Sequence, residues 1–190
     1  MPPLTVALEV VSLILPVLLP GVLLIAALKR GWLARLDVPV DGGAQLGGQP
    51  LLGRTKTWRG VLLYCLGGAL VGLGLGFLAP VGAASGIFGW SPVPLGGALT
   101  GLLIGAVYCL GEFINSFVKR RLGIGSSRTA AGAAGMVQYA IDLVDGIVAV
   151  TVLYLLLGVP VLSALLAGAI GIAIHAGTDA LMRALRLKSR

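Results

Sequence analysis

The sequence predicts an all-α integral membrane protein with five transmembrane helices, its N-terminus outside and its C-terminus cytoplasmic. Three observations carry that prediction. Hydrophobic residues fill 57% of the 190 positions and charged ones 11%, for a mean hydropathy of +1.02. A soluble domain of this size keeps about a quarter of its residues charged to stay wetted, so lipid is the solvent for most of this chain. Apolar runs able to cross roughly 30 Å of hydrocarbon lie near residues 4–28, 60–80, 94–118, 135–157 and 160–182. Finally, all 14 basic residues fall in alternate connections. Loop 29–59 carries Lys29, Arg30, Arg35, Arg54, Lys56 and Arg59, loop 119–134 carries Lys119, Arg120, Arg121 and Arg128, and the tail carries Arg183, Arg186, Lys188 and Arg190. The connections 81–93 and 158–159 have no charge, so the positive-inside rule sets the topology.

The spans form a single domain, 1–190, in a cell (plasma or inner) membrane. The first run begins at once, without a basic start, and reads as a retained helix. Pro16, Pro20 and Gly21 are expected to bend it, and Glu9 to reach interfacial water near its outer end. Glycines crowd the second span at 67, 68, 72, 74 and 76, which favours close helix contact and leaves a lateral opening for a lipid nearby. Trp32, Trp58 and Trp90 sit near span ends, as belt residues do. Cys65 and Cys109 lack metal or redox spacing and read as filling. The net charge of +7 is clustered between apolar runs, which points to a membrane surface or an anionic ligand and not to nucleic acid.

Charge inside the spans is so rare that each instance is informative. Glu112, Asn115, Ser116 and Lys119 are spaced i, i+3, i+4, i+7 on one face of the third span. Gln138, Asp142 and Asp145 form a stripe on the fourth. From the topology, Glu112 lies roughly 9 Å deep and the two aspartates roughly 10–15 Å deep, so the three carboxylates can meet at one level. Unpaired in hydrocarbon they would each cost several kcal/mol, which implies a cation, a basic partner or a water-filled cavity. Oxygen ligands of this kind suit Mg²⁺, held by Glu112, Asp142 and Asp145. Gly53-Arg54-Thr55-Lys56-Thr57-Trp58-Arg59-Gly60 opens the second helix with basic and hydroxyl groups able to cradle phosphates, without the order of a Walker A loop. His175, Asp179 and Arg183 read as a structural polar ladder along the fifth span.

Three segments in this order resemble the CDP-archaeol synthase family, membrane relatives of phosphatidate cytidylyltransferase. They are Lys56-Thr57-Trp58-Arg59-Gly60, Gly111-Glu112 followed by Ser116 to Ile124, and Asp142-Leu143-Val144-Asp145. The resemblance covers about Pro39 to Gly158 and implies Mg²⁺-dependent transfer of CMP from CTP to a lipid phosphate such as 2,3-bis-O-geranylgeranyl-sn-glycerol 1-phosphate, with release of pyrophosphate. It differs from the archaeal pattern in having Glu112 for an Asp, as in bacterial members, and in lacking a Gln between the paired aspartates, so ether and ester lipids both stay open as substrates. The roles it implies are catalysis by Lys119, Arg120, Asp142 and Asp145, and substrate binding by Lys56, Thr57, Arg59, Asn115, Ser116 and Arg121. Runner-up readings are a small cation-binding transporter, a phosphatidate cytidylyltransferase acting on diacyl lipid and, lower, a CDP-alcohol phosphotransferase.

Overall fold

The computed structural model describes residues 3–78, 94–125 and 132–184, with the side chains of 132–134 excepted. Trp90, Arg128, Arg186, Lys188, Arg190 and the connection 81–93 lie outside the described residues. Five helices are long and apolar enough to cross a bilayer: α1 (Pro3–Arg30), α2 (Trp58–Leu78), α3 (Pro94–Arg121), α4 (Gly132–Leu156) and α5 (Val161–Ala184). Their outward faces carry large apolar side chains, with Leu70 69%, Phe77 71% and Leu95 67% exposed. Such faces belong in lipid, where apolar exposure has no aqueous penalty. Between α1 and α2 the chain forms a 3₁₀ turn (Ala34–Leu36) and a two-stranded antiparallel hairpin, β1 (Gln45–Leu46) and β2 (Gln49–Pro50).

The tightest seam joins α2 to α3. Gly97, Gly101 and Gly105, one turn apart on α3, face the backbones of Gly72, Gly68 and Tyr64 on α2. A β-carbon on Gly101 would stand 2.7 Å from the Gly68 carbonyl carbon, closer than any side chain tolerates. Of the α2 glycines, Gly68, Gly72 and Gly76 are taken up in this contact with α3, whereas Gly67 faces Pro20 on α1 and Gly74 stays open. Pro16 and Pro20 sit inside an unbroken α1, fully buried, with the Pro20 ring packed toward Gly67. In lipid their missing N–H donors are tolerated where neighbouring helices cover the backbone.

A second close approach sets α3 against α4. A β-carbon on Gly111 would meet the Asp145 carbonyl oxygen at 2.7 Å and the Ala149 methyl at 2.8 Å. Glu112 and Asn115 on α3 thus face Asp142 and Asp145 across a backbone contact. At the opposite end of the bundle, Glu9 does not reach interfacial water. It is 3% exposed and accepts a hydrogen bond from Ser163 Oγ on α5. The hydroxyl offers a buried carboxylate the hydrogen bond that hydrocarbon cannot.

Substitution separates the seam from the lipid face. Gly101→Ala should lower stability by about 1–3 kcal/mol by forcing α2 and α3 apart, read as thermal unfolding in detergent micelles. Gly74→Ala, whose added carbon meets nothing within 4 Å, should be neutral or stabilising by up to about 1 kcal/mol through helix propensity.

Candidate functional site

Residues 37–57 fold down onto the end of α3 as a cap, and backbone bonds fix both strands of its stem. Val40 N–H donates to the Lys56 carbonyl at 2.8 Å and Trp58 N–H to the Val38 carbonyl at 3.0 Å. Asp41 ties the interior of the cap: its carboxylate accepts from the N–H groups of Gly43 (3.0 Å), Leu52 (2.8 Å) and Gly53 (3.2 Å). Slight burial pushes the Asp41 carboxyl up, but these amide donors more than offset that and hold it below its usual 3.8. Arg121 at the end of α3 donates to the carbonyls of Leu46, Gln49 (3.2 Å) and Pro50 (2.7 Å). Arg120 donates from Nε to the Leu52 carbonyl at 3.2 Å and from Nη1 to the Ile124 carbonyl. Five donors in a rigid fork suit a guanidinium to gathering carbonyls in this way.

Beneath the cap the carboxylates meet cations. Lys56 Nζ lies 2.6 Å from Glu112 Oε2, and Lys119 Nζ 2.6 Å from Asp142 Oδ1. Burial alone would push the Lys56 ammonium down. The Glu112 carboxylate, with Asp145 and Asp142 behind it, raises it above its usual 10.5, so Lys56 carries its charge throughout the physiological range. Asn115 Nδ2 donates to Asp142 Oδ1 and to Asp145 Oδ2, each at 2.7 Å, and Asp145 Oδ1 accepts from Gly146 N–H at 2.6 Å. One amide therefore holds two carboxylates side by side. Arg59 is 6% exposed and pairs with Asp37 at 3.0 Å, while its Nε–H has no hydrogen-bond partner among the described residues.

These side chains line a cavity of about 460 Å³ bounded by the cap, α1, α2, α3, α4 and α5. Of the expected site residues, Lys56, Thr57, Arg59, Glu112, Ser116, Lys119, Arg120, Asp142 and Asp145 reach its wall. Asn115 stands behind the wall as the bridge between the aspartates. Arg121, expected to bind phosphate, donates to the hairpin carbonyls and is absent from the lining, and its buried Nε–H has no partner among the described residues. Arg183 pairs with Asp179 and stacks on Tyr139, whereas His175 turns to α4, its Nδ1 3.0 Å from the Leu143 carbonyl, and lines the cavity. Arg54 and Asp37 also line it without having been singled out. Arg54 could have been inferred from its place in the basic stretch before α2; Asp37 and His175 carried no local signal, since each is brought in by the packing of a distant segment.

The three carboxylates share this cavity without converging on one point, because Glu112 is turned toward Lys56. Among the described residues no three His, Cys, Asp or Glu side chains form a closed metal cage. The donor set nonetheless suits Mg²⁺, which takes one or two carboxylates and completes its shell with phosphate and water. Asp142 and Asp145, held adjacent by Asn115, supply such a pair.

The cap should be separable from the helices. Arg121→Met should speed limited proteolysis within residues 42–50 several-fold while helical circular dichroism is unchanged. Asp41, whose carboxyl is depressed in the folded chain, contributes above its ordinary 3.8 and loses its hold as pH falls through the lower folded value. An acid-active protease should therefore cut this segment slowly at pH values above 3.8 and quickly only below it, and Asp41→Asn should abolish that transition.

The family model described as CarS-like, CDP-archaeol synthase, matches residues 4–189. The CDP-archaeol synthase of Methanosphaerula palustris is 38% identical over 121 residues, covering 63% of this chain and 64% of that relative. The one from Halobacterium salinarum strain R1 is 35% identical over 118 residues, 60% of this chain and 59% of that relative. The matched stretch thus spans less than two thirds of these curated relatives. No solved structure matches the chain. With the family model covering nearly every residue, and with the three motif segments gathered at one cavity, the chain belongs to the CarS-like CDP-archaeol synthase family.

Proposed function

We propose that this protein transfers CMP from CTP to a lipid phosphate, giving a CDP-lipid and pyrophosphate, with the basic end of the bundle facing the cytoplasm. The observation that carries this reading is the single cavity of about 460 Å³ whose wall bears both Lys56, Arg59, Lys119 and Arg120 and the carboxylates Glu112, Asp142 and Asp145. A pocket for one polyanion would need only the cations. A pocket that brings two phosphorylated molecules together also gains from carboxylates able to take a divalent ion. The two archaeal relatives favour an ether-linked isoprenoid glycerol phosphate as the acceptor, and a diacyl lipid phosphate is the alternative to be tested beside it.

In this reaction an oxygen of the lipid phosphate attacks the α-phosphorus of CTP. That bond forms as the bond to the pyrophosphate oxygen breaks, so no protein nucleophile is required. The chain's task is positioning and charge neutralisation. Arg59 offers a buried Nε–H without a partner among the described residues, a donor suited to a triphosphate oxygen, and Lys56 and Arg54 line the same cavity. Lys119 would hold the lipid phosphate, and buried Ser116, also on the cavity wall, would add a hydroxyl. Arg120 and Arg121 keep the cap down through its carbonyls, which keeps Lys56 and Arg59 at the cavity. Asn115 holds Asp142 and Asp145 in place for Mg²⁺, with Glu112 as the third candidate ligand; when bound, the ion would neutralise phosphate charge and polarise the reacting phosphorus.

The test is incorporation of labelled CMP from CTP into lipid by the purified protein in mixed micelles. Bis-geranylgeranyl glycerol phosphate and phosphatidic acid are each supplied, with and without Mg²⁺. Product is expected with the ether lipid and only with Mg²⁺ present. No product from either lipid, together with cation flux in liposomes, would replace this reading with the transporter one. Asp145→Asn should lower kcat by about 10²–10³-fold. Arg59→Met should raise KM for CTP more than KM for the lipid; equal changes would remove Arg59 from the triphosphate site.

A further inference from the structure

The carboxylates beneath the cap are already engaged. Asp142 Oδ1 takes both the Lys119 ammonium at 2.6 Å and the Asn115 amide at 2.7 Å, and Glu112 Oε2 takes the Lys56 ammonium at 2.6 Å. Asp145 is held by two amides instead, Asn115 Nδ2 at Oδ2 and the Gly146 N–H at Oδ1. Around the whole cavity five basic side chains stand against four carboxylates, so the wall is close to neutral. A divalent cation arriving alone meets little uncompensated negative charge there. To bind Asp142 through Oδ1 it has to displace Lys119, whose side chain is only 17% exposed, and leave that ammonium without a partner in a partly buried site. Glu112 and Lys56 present the same obstacle.

A phosphate removes it. Phosphate oxygens make short, charge-assisted hydrogen bonds to an ammonium, which replace the contact that the carboxylate gives up. The flexible four-carbon stem of lysine lets the ammonium turn toward the cavity while the backbone stays in its helix. The aspartates need not move with it, because Asn115 Nδ2 bridges Asp142 and Asp145 independently of Lys119. The carboxylate pair therefore stays aligned as the ammonium leaves. Lys56 ends the cap just ahead of α2, so its exchange joins the cap to whichever phosphate takes it.

Resting on the cytidylyltransferase reading, we propose that Lys119 and Lys56 are exchangeable counter-ions of the metal ligands. Each holds its carboxylate until a phosphate oxygen takes the ammonium, so that Asp142 and Glu112 pass to a divalent cation only as phosphate binds. Cation and phosphate then bind with positive coupling, and the ion pairs guard the site against a cation without substrate. By linkage, the factor by which phosphate tightens the cation is the factor by which the cation tightens phosphate.

Mn²⁺, followed by the EPR signal of the free ion, tests this with purified protein in micelles. A di-ether glycerol phosphate with short chains is the phosphate probe, and Mn²⁺ held by that lipid in protein-free micelles is subtracted. Wild-type protein should bind Mn²⁺ about tenfold more tightly with the probe than without it, within the roughly 5–150-fold range of coupled sites. Lys119→Met should bind Mn²⁺ alone about tenfold more tightly than wild type, and the probe should then add less than about threefold. Arg54→Met takes a charge from the same wall but no ion-pair partner from a carboxylate among the described residues, and should keep the wild-type coupling. Mn²⁺ binding no tighter in Lys119→Met than in wild type, or coupling as large in that variant, would overturn the proposal. Absence of coupling in the wild type would overturn it without any variant. Coupled Mn²⁺ binding without CMP transfer would leave the exchange standing and remove the enzyme reading; transfer by a protein whose Mn²⁺ binding is uncoupled would do the reverse.

Discussion

Carboxylates placed inside a membrane-spanning bundle must be satisfied by the protein itself, and the rest of this structure is arranged around that demand. Glu112 and Asp142 each have a lysine ammonium at 2.6 Å, and Asp142 and Asp145 share the amide of Asn115. Removing a single member would leave its partner uncompensated in a partly buried site, which costs more than the loss of an exposed surface pair. All three partners come from outside the helix that carries the acid: Lys56 from the cap before α2, and Asn115 and Lys119 from α3 against α4. The ionic network therefore fixes the cap, α3 and α4 relative to one another, and the cavity is the space left among them.

That arrangement depends on backbone contact. Hydrophobic burial does not drive one helix against another in lipid; close packing and polar contacts do. The glycine rows bring the backbones of α2 and α3 together from Tyr64 to Gly76 and from Pro94 to Gly105, and Gly111 does the same for α3 and α4 at the level of Asp145. Lys56, two residues before α2, then lies against Glu112, and Asn115 reaches both aspartates at hydrogen-bond distance. Where no such seam exists, between α1 and α4, the bundle stays open and an apolar groove results.

The arginines show how one motif divides its labour. Lys119, Arg120 and Arg121 are consecutive and equally basic, yet successive helical residues point about 100° apart. Lys119 faces α4 and Asp142. Arg120 lines the cavity while holding Leu52 and Ile124, and Arg121 reaches over the end of the helix to three hairpin carbonyls. The run reads as a phosphate clamp in sequence, yet in the fold Arg120 and Arg121 both donate to backbone carbonyls, and Arg121 stays off the cavity wall.

The sequence by itself determined the five helices, because apolar length is a one-dimensional property that lipid selects directly. It also determined the polar faces of α3 and α4, because helical periodicity alone places Glu112, Asn115, Ser116 and Lys119 together and sets Asp142 beside Asp145. Only the tertiary structure decided who partners whom. Glu9 was expected at the interface and lies against Ser163, 154 residues away. His175, read as part of a polar ladder along α5, has its Nδ1 at the Leu143 carbonyl on α4 and lines the cavity wall. Each of these depends on which helices touch. A local pattern states which face of a helix is polar or small; it carries no record of which distant helix that face will meet, and in lipid that choice rests on backbone fit and on the few hydrogen bonds the bundle must complete within itself.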